Sequence, residues 1–166
     1  MSIAESAAQA RAYLAEHPDE ARYRDNHARA RLVSGLMVDV AGPTGESLRT
    51  DMPKGIGGSA SAPSPGWYLR AAAASCVVSL LAIRAADLGM ALRSAEVVVD
   101  SESDDRGILG LDDAVAAGAL SIRIVVRVEL PGRSRAEVEA LVAWAVAHCP
   151  VTDTILRAVT TDVVVS

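Results

Sequence analysis

The chain has 166 residues, 51% of them hydrophobic but only 3% aromatic and none phenylalanine, so a core must be packed from alanine, valine and leucine. This length fits one domain that can bury a real core. A net charge of −5 and a pI of about 5.2 offer no field that draws phosphates, so nucleic acid is excluded as an expected partner.

The first twenty residues, MSIAESAAQARAYLAEHPDE, carry acids and no apolar h-region, so they do not read as a signal peptide. Residues 2–16 predict a helix that stops at His17-Pro18, where proline blocks continuation. Residues 1–25 are read as a helical extension on a domain spanning 26–166. Residues 26–40 alternate like a strand, and a break at Ser34-Gly35 predicts a hairpin or bulge. Gly42 to Gly45 predicts a turn, Glu46 to Asp51 a short strand, and Met52 to Pro65 a loop rich in Gly, Ser, Ala and Pro.

Pro65 to Gly89 is the strongest element. Proline follows Ser64 as N-cap, glycine closes the segment, and the sequence is apolar nearly all round, so a long central helix is expected. Its uncharged run, Ala71 to Ile83, lies between Arg70 and Arg84 and is too short to span a bilayer. No membrane partner is therefore expected, and the expected location is the cytoplasm. Leu92 to Ser101 predicts a strand, residues 102–118 a polar irregular insertion, and Leu120 to Leu130 a strand with one wet face. Ser134 to His148 predicts a helix with a capping box from Ser134 to Glu137. A short helix from Pro150 to about Ala158 and a last strand, Thr160 to Val165, complete an α+β fold with a mostly antiparallel sheet packed on the long helix. Small core side chains bury little area each, so a homodimer is expected to complete the burial.

Two cysteines about seventy residues apart make no secreted disulfide framework. With no CxxC, and with His17, His27 and His148 scattered, there is no zinc spacing either. Cys76 shares a helix face with Leu69, Ala72, Ala73 and Leu80. Cys149 precedes Pro150 at the start of the last helix, where the helix dipole favours a thiolate. Both could equally be small buried hydrophobes.

The segments GGSASAPSPGWYLRAAAASC (Gly57 to Cys76) and HCPVTDTI (His148 to Ile155) resemble the two cysteine motifs of the OsmC/Ohr family, in the family's order. The resemblance covers roughly residues 28–166. It implies an intertwined homodimer with its sites at the subunit interface, and a cysteine-dependent peroxidase that reduces organic hydroperoxides. Cys76 would be the peroxidatic thiol and Cys149 the resolving one, an unidentified thiol would act as reductant, and no metal or flavin would be needed. The family's activating arginine could be Arg29, Arg31 or Arg49. The chain departs from the pattern at Gly66, where peroxidatic members carry a glutamate that orients this arginine.

Other signals read as structural. Gly55 to Gly58 lacks the lysine of a phosphate loop. His148 is expected to be a partly exposed polar residue at a helix end rather than a dyad partner of Cys149, and Asp104, Asp105, Asp112 and Asp113 lack the spacing of a calcium loop. Ile108, Leu109 and Leu111 are expected to pack over the site or at a dimer contact. Trp67 and Tyr68 are expected to fill core or interface, or to line an apolar pocket. Two functions remain: the peroxidase just described, and a non-catalytic dimer of the same fold that binds a small apolar ligand.

Overall fold

A computed structural model describes residues 1–165. The chain divides into two compact units, residues 8–70 and residues 1–7 with 71 onward. Helix α1 (Ile3–Glu16) is closed at its start by a reciprocal pair: the Ser2 N–H donates to Glu5 Oε2 at 2.7 Å, and the Glu5 N–H donates to Ser2 Oγ at 3.2 Å. Such a box satisfies donors the helix leaves orphaned. Pro18 ends the helix as expected.

The first unit holds an antiparallel sheet of strands β1 (Arg29–Ser34), β2 (Met37–Ala41) and β3 (Ser47–Thr50), in that order. Gly35, at φ 55°, supplies the left-handed turn between β1 and β2, and the register shifts between Leu32 and Ser34, where the sequence predicted a hairpin or bulge. Every position of β1 is exposed, so the alternation in its sequence has no covered face within this chain.

The loop after β3 is organised by one carboxylate. Asp51 is 1% exposed and accepts from the N–H groups of Met52 (2.8 Å), Ser59 (3.2 Å) and Ser61 (3.0 Å), and from both serine hydroxyls. Between the two serines Ala60 is held at φ 53°, a conformation unusual for a residue with a Cβ. Gly58 is required by contact: a Cβ there would lie 1.8 Å from the Met52 carbonyl oxygen.

Helix α2 (Pro65–Asp87) follows. Ser64 Oγ accepts from the Trp67 N–H at 3.3 Å, and Gly89 at φ 60° closes the far end, as the sequence predicts. Among the described residues α2 is the one helix long and apolar enough to cross a membrane by length and composition; the sequence argument counted only its uncharged run. The helix is not buried all round. Its buried residues are Ala73, Val77, Leu81 and Ala85, a single seam at four-residue spacing, while Leu69 is 45% exposed.

In the second unit, strands β4 (Ser94–Glu102) and β5 (Ser121–Glu129) pair antiparallel, with Val97 opposite Val126 and Ala95 opposite Val128. Their outer face carries opposite charges in register: Arg123 with Asp100 at 2.6 Å and Arg127 with Glu96 at 2.8 Å. The intervening segment is not wholly irregular. It contains a helical turn, α3 (Asp105–Ile108), capped by Asp104. Ile108, Leu109 and Leu111 are 53%, 53% and 72% exposed, apolar surface that this chain leaves largely open. Helix α4 (Arg135–Ala147) has the predicted capping box, both halves of it present, and α5 (Pro150–Leu156) follows. The core joins Val77, Leu81 and Ala85 of α2 to Leu130 and to Leu141, Ala145 and Cys149.

The strand predicted over 160–165 does not form. Those residues have no ladder partner, and Val163, Val164 and Val165 are 80%, 80% and 95% exposed. Valine-rich composition supplies the propensity for a strand but not the neighbour it must pair with.

Two stability outcomes follow. Leu81 is fully buried, so Leu81→Ala should cost about 3 kcal/mol in denaturant unfolding, from lost transfer energy and the cavity left behind. The Ser59 hydroxyl, then the Ser61 N–H and hydroxyl, hold the Asp51 carboxyl well below its ordinary pKa. A depressed native pKa contributes stability that is present above the unfolded value, about 3.9, and is lost as pH falls through the native one. Asp51→Asn should therefore lower Tm at neutral pH, and the gap to the wild type should close as thermal melts are taken into acid.

Candidate active site

The seam on α2 and the seam on α4 create the site. Leu141 and Ala145 are followed four residues later by Cys149, and all three are fully buried or nearly so. Helix α4 ends at Ala147 with His148 as its C-cap, so Cys149 continues the buried seam just beyond the helix. It serves as N-cap of α5, with φ −76° and ψ 116°. Cys76, one residue before Val77 of the α2 seam, is half-buried and packs against this core cluster. Both thiols are free, and each lies near enough to shift the titration of the other.

Proline at the first position of α5 has no N–H to offer. The next two amides, of Val151 and Thr152, have no carbonyl acceptor among the described residues, as expected for a first helical turn. Both lie near the Cys149 sulfur, and the Val151 N–H also lies near that of Cys76. The Thr152 hydroxyl bonds the Val146 carbonyl at 2.7 Å, tying the last turn of α4 to the first turn of α5.

These contacts set the two thiols apart. Burial, reinforced by the hydrogen bond to Cys149, pushes the Cys76 thiol up, and the Val151 N–H only partly opposes this. Burial pushes Cys149 up as well, but the hydrogen bond from Cys76, with the Thr152 and Val151 groups, outweighs it and leaves that thiol below its ordinary value. The physical rule is that donors to the charged form favour it. The rise at Cys76 agrees with its mid-helix position; the shared amide donor was not anticipated.

His148 is exposed. Its ring stacks on Trp144 with centroids 4.2 Å apart, its Nδ1 is paired with the Trp144 carbonyl oxygen at 2.8 Å, and the Arg84 guanidinium lies 4.9 Å from the Trp144 ring centroid. Sequence reasoning read His148 as a helix-end residue but missed this stack; the four-residue spacing from Trp144 was the available signal.

The three candidate arginines all belong to the first unit, whereas both cysteines belong to the second. Arg49 is bound bidentately to Asp39, at 2.6 Å and 2.9 Å. Arg31 stands opposite the same Asp39 in the β1–β2 register, and Arg29 opposite Ala41. Gly66 lies exposed in the first turn of α2, and a side chain there would meet Arg70 Nη1, 3.7 Å from an added Cβ. Trp67 is 49% exposed, and the Tyr68 hydroxyl donates to the Arg49 carbonyl at 3.1 Å, so Tyr68 ties the helix start to β3.

Residues 58–164 match the model of the OsmC-like protein family. Among solved structures, the chain is similar to an OsmC-like protein of Mycoplasma pneumoniae, with TM-score 0.68 and 15% identity over 81% of this chain and 89% of that one. It is also similar to an organic hydroperoxide resistance protein from Legionella pneumophila, with TM-score 0.61 and 22% identity over 81% and 90%. A third is the organic hydroperoxide resistance protein OhrB of Bacillus subtilis, with TM-score 0.51 and 18% identity over 78% and 89%. At these identities the likeness is one of fold. No curated protein matches by sequence. The matched family segment runs through both cysteines and well over half of the sequence, and the chain belongs to the OsmC-like family.

Proposed function

We propose that the protein is a thiol-dependent peroxidase that reduces organic hydroperoxides, with Cys76 meeting the substrate and Cys149 closing a disulfide upon it. The observation that carries this reading is the pair itself: two free thiols, distant in sequence, that the fold gathers at one core cluster. Cys76 retains access to solvent while Cys149 has none, which suits one sulfur to meeting a peroxide and the other to trapping the product. A sulfenic acid formed on the first would condense with the second before over-oxidation. The disulfide must then be reopened by an external thiol, which suits a reducing compartment such as the cytoplasm. Two of the similar structures described above carry organic hydroperoxide resistance in their names.

The functional unit we propose is a homodimer. Leu32 and Val33 on β1 and the valines of residues 163–165 stand exposed, apolar surface that a second copy could cover. The dimer would also give Arg29 or Arg31 a route to a partner's site, since Arg49 is held by Asp39.

A second reading, a non-catalytic dimer that binds a small apolar ligand, is favoured by Gly66 at the position where peroxidatic relatives carry an acid. The two separate on thiol counting. One equivalent of cumene hydroperoxide should remove both free thiols of the wild type within minutes and form a Cys76–Cys149 bridge detectable by peptide mapping, and Cys76→Ser should abolish the reaction. Two thiols persisting in the wild type would leave the binding role.

A further inference from the structure

We propose that Arg84, Trp144 and His148 form a clamp between α2 and the end of α4, and that they are positioning residues for Cys149: they fix where the chain leaves α4 and so where the second thiol stands against α2. The inference rests on the peroxidase reading for its consequence in turnover, but the clamp itself can be measured without a peroxide.

Cys149 has little helix to hold it. Helix α4 ends at Ala147, and the Cys149 N–H reaches the Val146 carbonyl only at 3.4 Å, beyond the usual range of such a bond. Its direction is set by the residue before it. His148, the C-cap at φ −102° and ψ 4°, is held twice by one oxygen. The Trp144 carbonyl accepts from the His148 backbone N–H at 3.0 Å and is paired with the ring Nδ1 at 2.8 Å. A carbonyl oxygen has two lone pairs and no proton to give, so Nδ1 must carry the hydrogen. The imidazole lies flat on the indole, with centroids 4.2 Å apart and planes 15° from parallel. Rotation of the chain at His148 would break both bonds and the stack together.

Trp144 is in turn tied to α2. Its half-buried side chain packs against the core cluster, and the Arg84 guanidinium lies 4.9 Å from its ring centroid, within the range of a cation–π contact. Arg84 stands in the last turn of α2, about 12 Å along the helix axis from Cys76. The contact therefore joins the helix that carries the first thiol to the residue that orients the second. Ala145, the seam residue next to Trp144, is fully buried and supplies burial. The indole adds what small side chains lack, a flat face that takes both a cation and an imidazole. A second brace, from the Thr152 hydroxyl to the Val146 carbonyl at 2.7 Å, ties α4 to α5, whereas the clamp ties α4 to α2.

The test is exchange of the folded dithiol with oxidised glutathione. Two protein thiols and one glutathione disulfide give the Cys76–Cys149 bridge and two reduced glutathiones, so electrons and protons balance. The equilibrium constant reports how well the two sulfurs are held for bonding, and lost global stability alone does not move it while the chain stays folded. Trp144→Leu should lower it about tenfold, a rise of about 30 mV in reduction potential. Arg84→Ala and His148→Ala should each lower it about threefold, and Arg84→Lys, which keeps a cation for the ring, should recover most of the loss. Asp51→Asn, which weakens the first unit, should leave it unchanged. With cumene hydroperoxide the clamp variants should lose the first thiol at the wild-type rate and the second more slowly, so that dimedone captures more of the Cys76 sulfenic acid. An unchanged equilibrium in Trp144→Leu would overturn the clamp. So would a loss in Trp144→Leu that neither Arg84→Ala nor His148→Ala shares, since that is lost packing alone. If Trp144→Leu does not fold, the two alanine variants decide the matter, and wild-type equilibria in both overturn it. If the wild type ignores the hydroperoxide, the peroxidase reading fails and the glutathione equilibrium still decides the clamp; a wild type that forms no Cys76–Cys149 bridge with glutathione overturns it.

Discussion

The second unit depends on the meeting of two seams of small apolar side chains, each with four-residue spacing. Ala73, Val77, Leu81 and Ala85 line α2, and Leu141, Ala145 and Cys149 line α4 and the residue just beyond it. Residues four apart lie one above another on a helix face and form the ridges by which helices pack. With no phenylalanine in the chain, alanine, valine, leucine and cysteine fill this cluster. The sheet of β4 and β5 contributes its valines to the same cluster. The packing that stabilises the unit is therefore also what brings the second sulfur to the first.

The site is notable for drawing its polarity from the backbone. Neither sulfur is shifted by a charged side chain; the groups that matter are each other, the amides of Val151 and Thr152, and the Thr152 hydroxyl. Pro150 contributes by what it lacks, since a first residue without an N–H leaves the next two amides as the nearest donors. The first unit shows the same economy at Asp51, where three amides and two hydroxyls replace a counter-ion.

Local signals in the sequence carried much of this architecture. Ser134 with Glu137, Ser64 with Pro65, and Gly35 and Gly89 at positive φ each mark an element end through contacts within a few residues, and such contacts do not need the rest of the fold. What escaped depends on distant neighbours. Valine-rich residues 160–165 have strand propensity but no ladder in this chain, and the all-round apolarity of α2 does not say which of its faces will be covered. The Asp51 clamp joins residues eight and ten positions apart across a loop, with no periodicity to announce it. Both cysteines stood out as candidates through their flanking motifs; the α5 amides beside them did not, because those depend on how α2 meets the α4–α5 junction.

The location of Cys149 at that junction has a thermodynamic side. A covalent link from there to mid-α2 would encircle about seventy residues, including the whole β4–β5 hairpin. Closing a ring of that size removes chain entropy from the unfolded ensemble worth about 4 kcal/mol, in the absence of strain. Oxidation would then act as a mechanical fastener as well as a chemical endpoint: the oxidised form would resist unfolding more than the reduced one. Whatever thiol reopens the ring would have to release that constraint along with the sulfur bond.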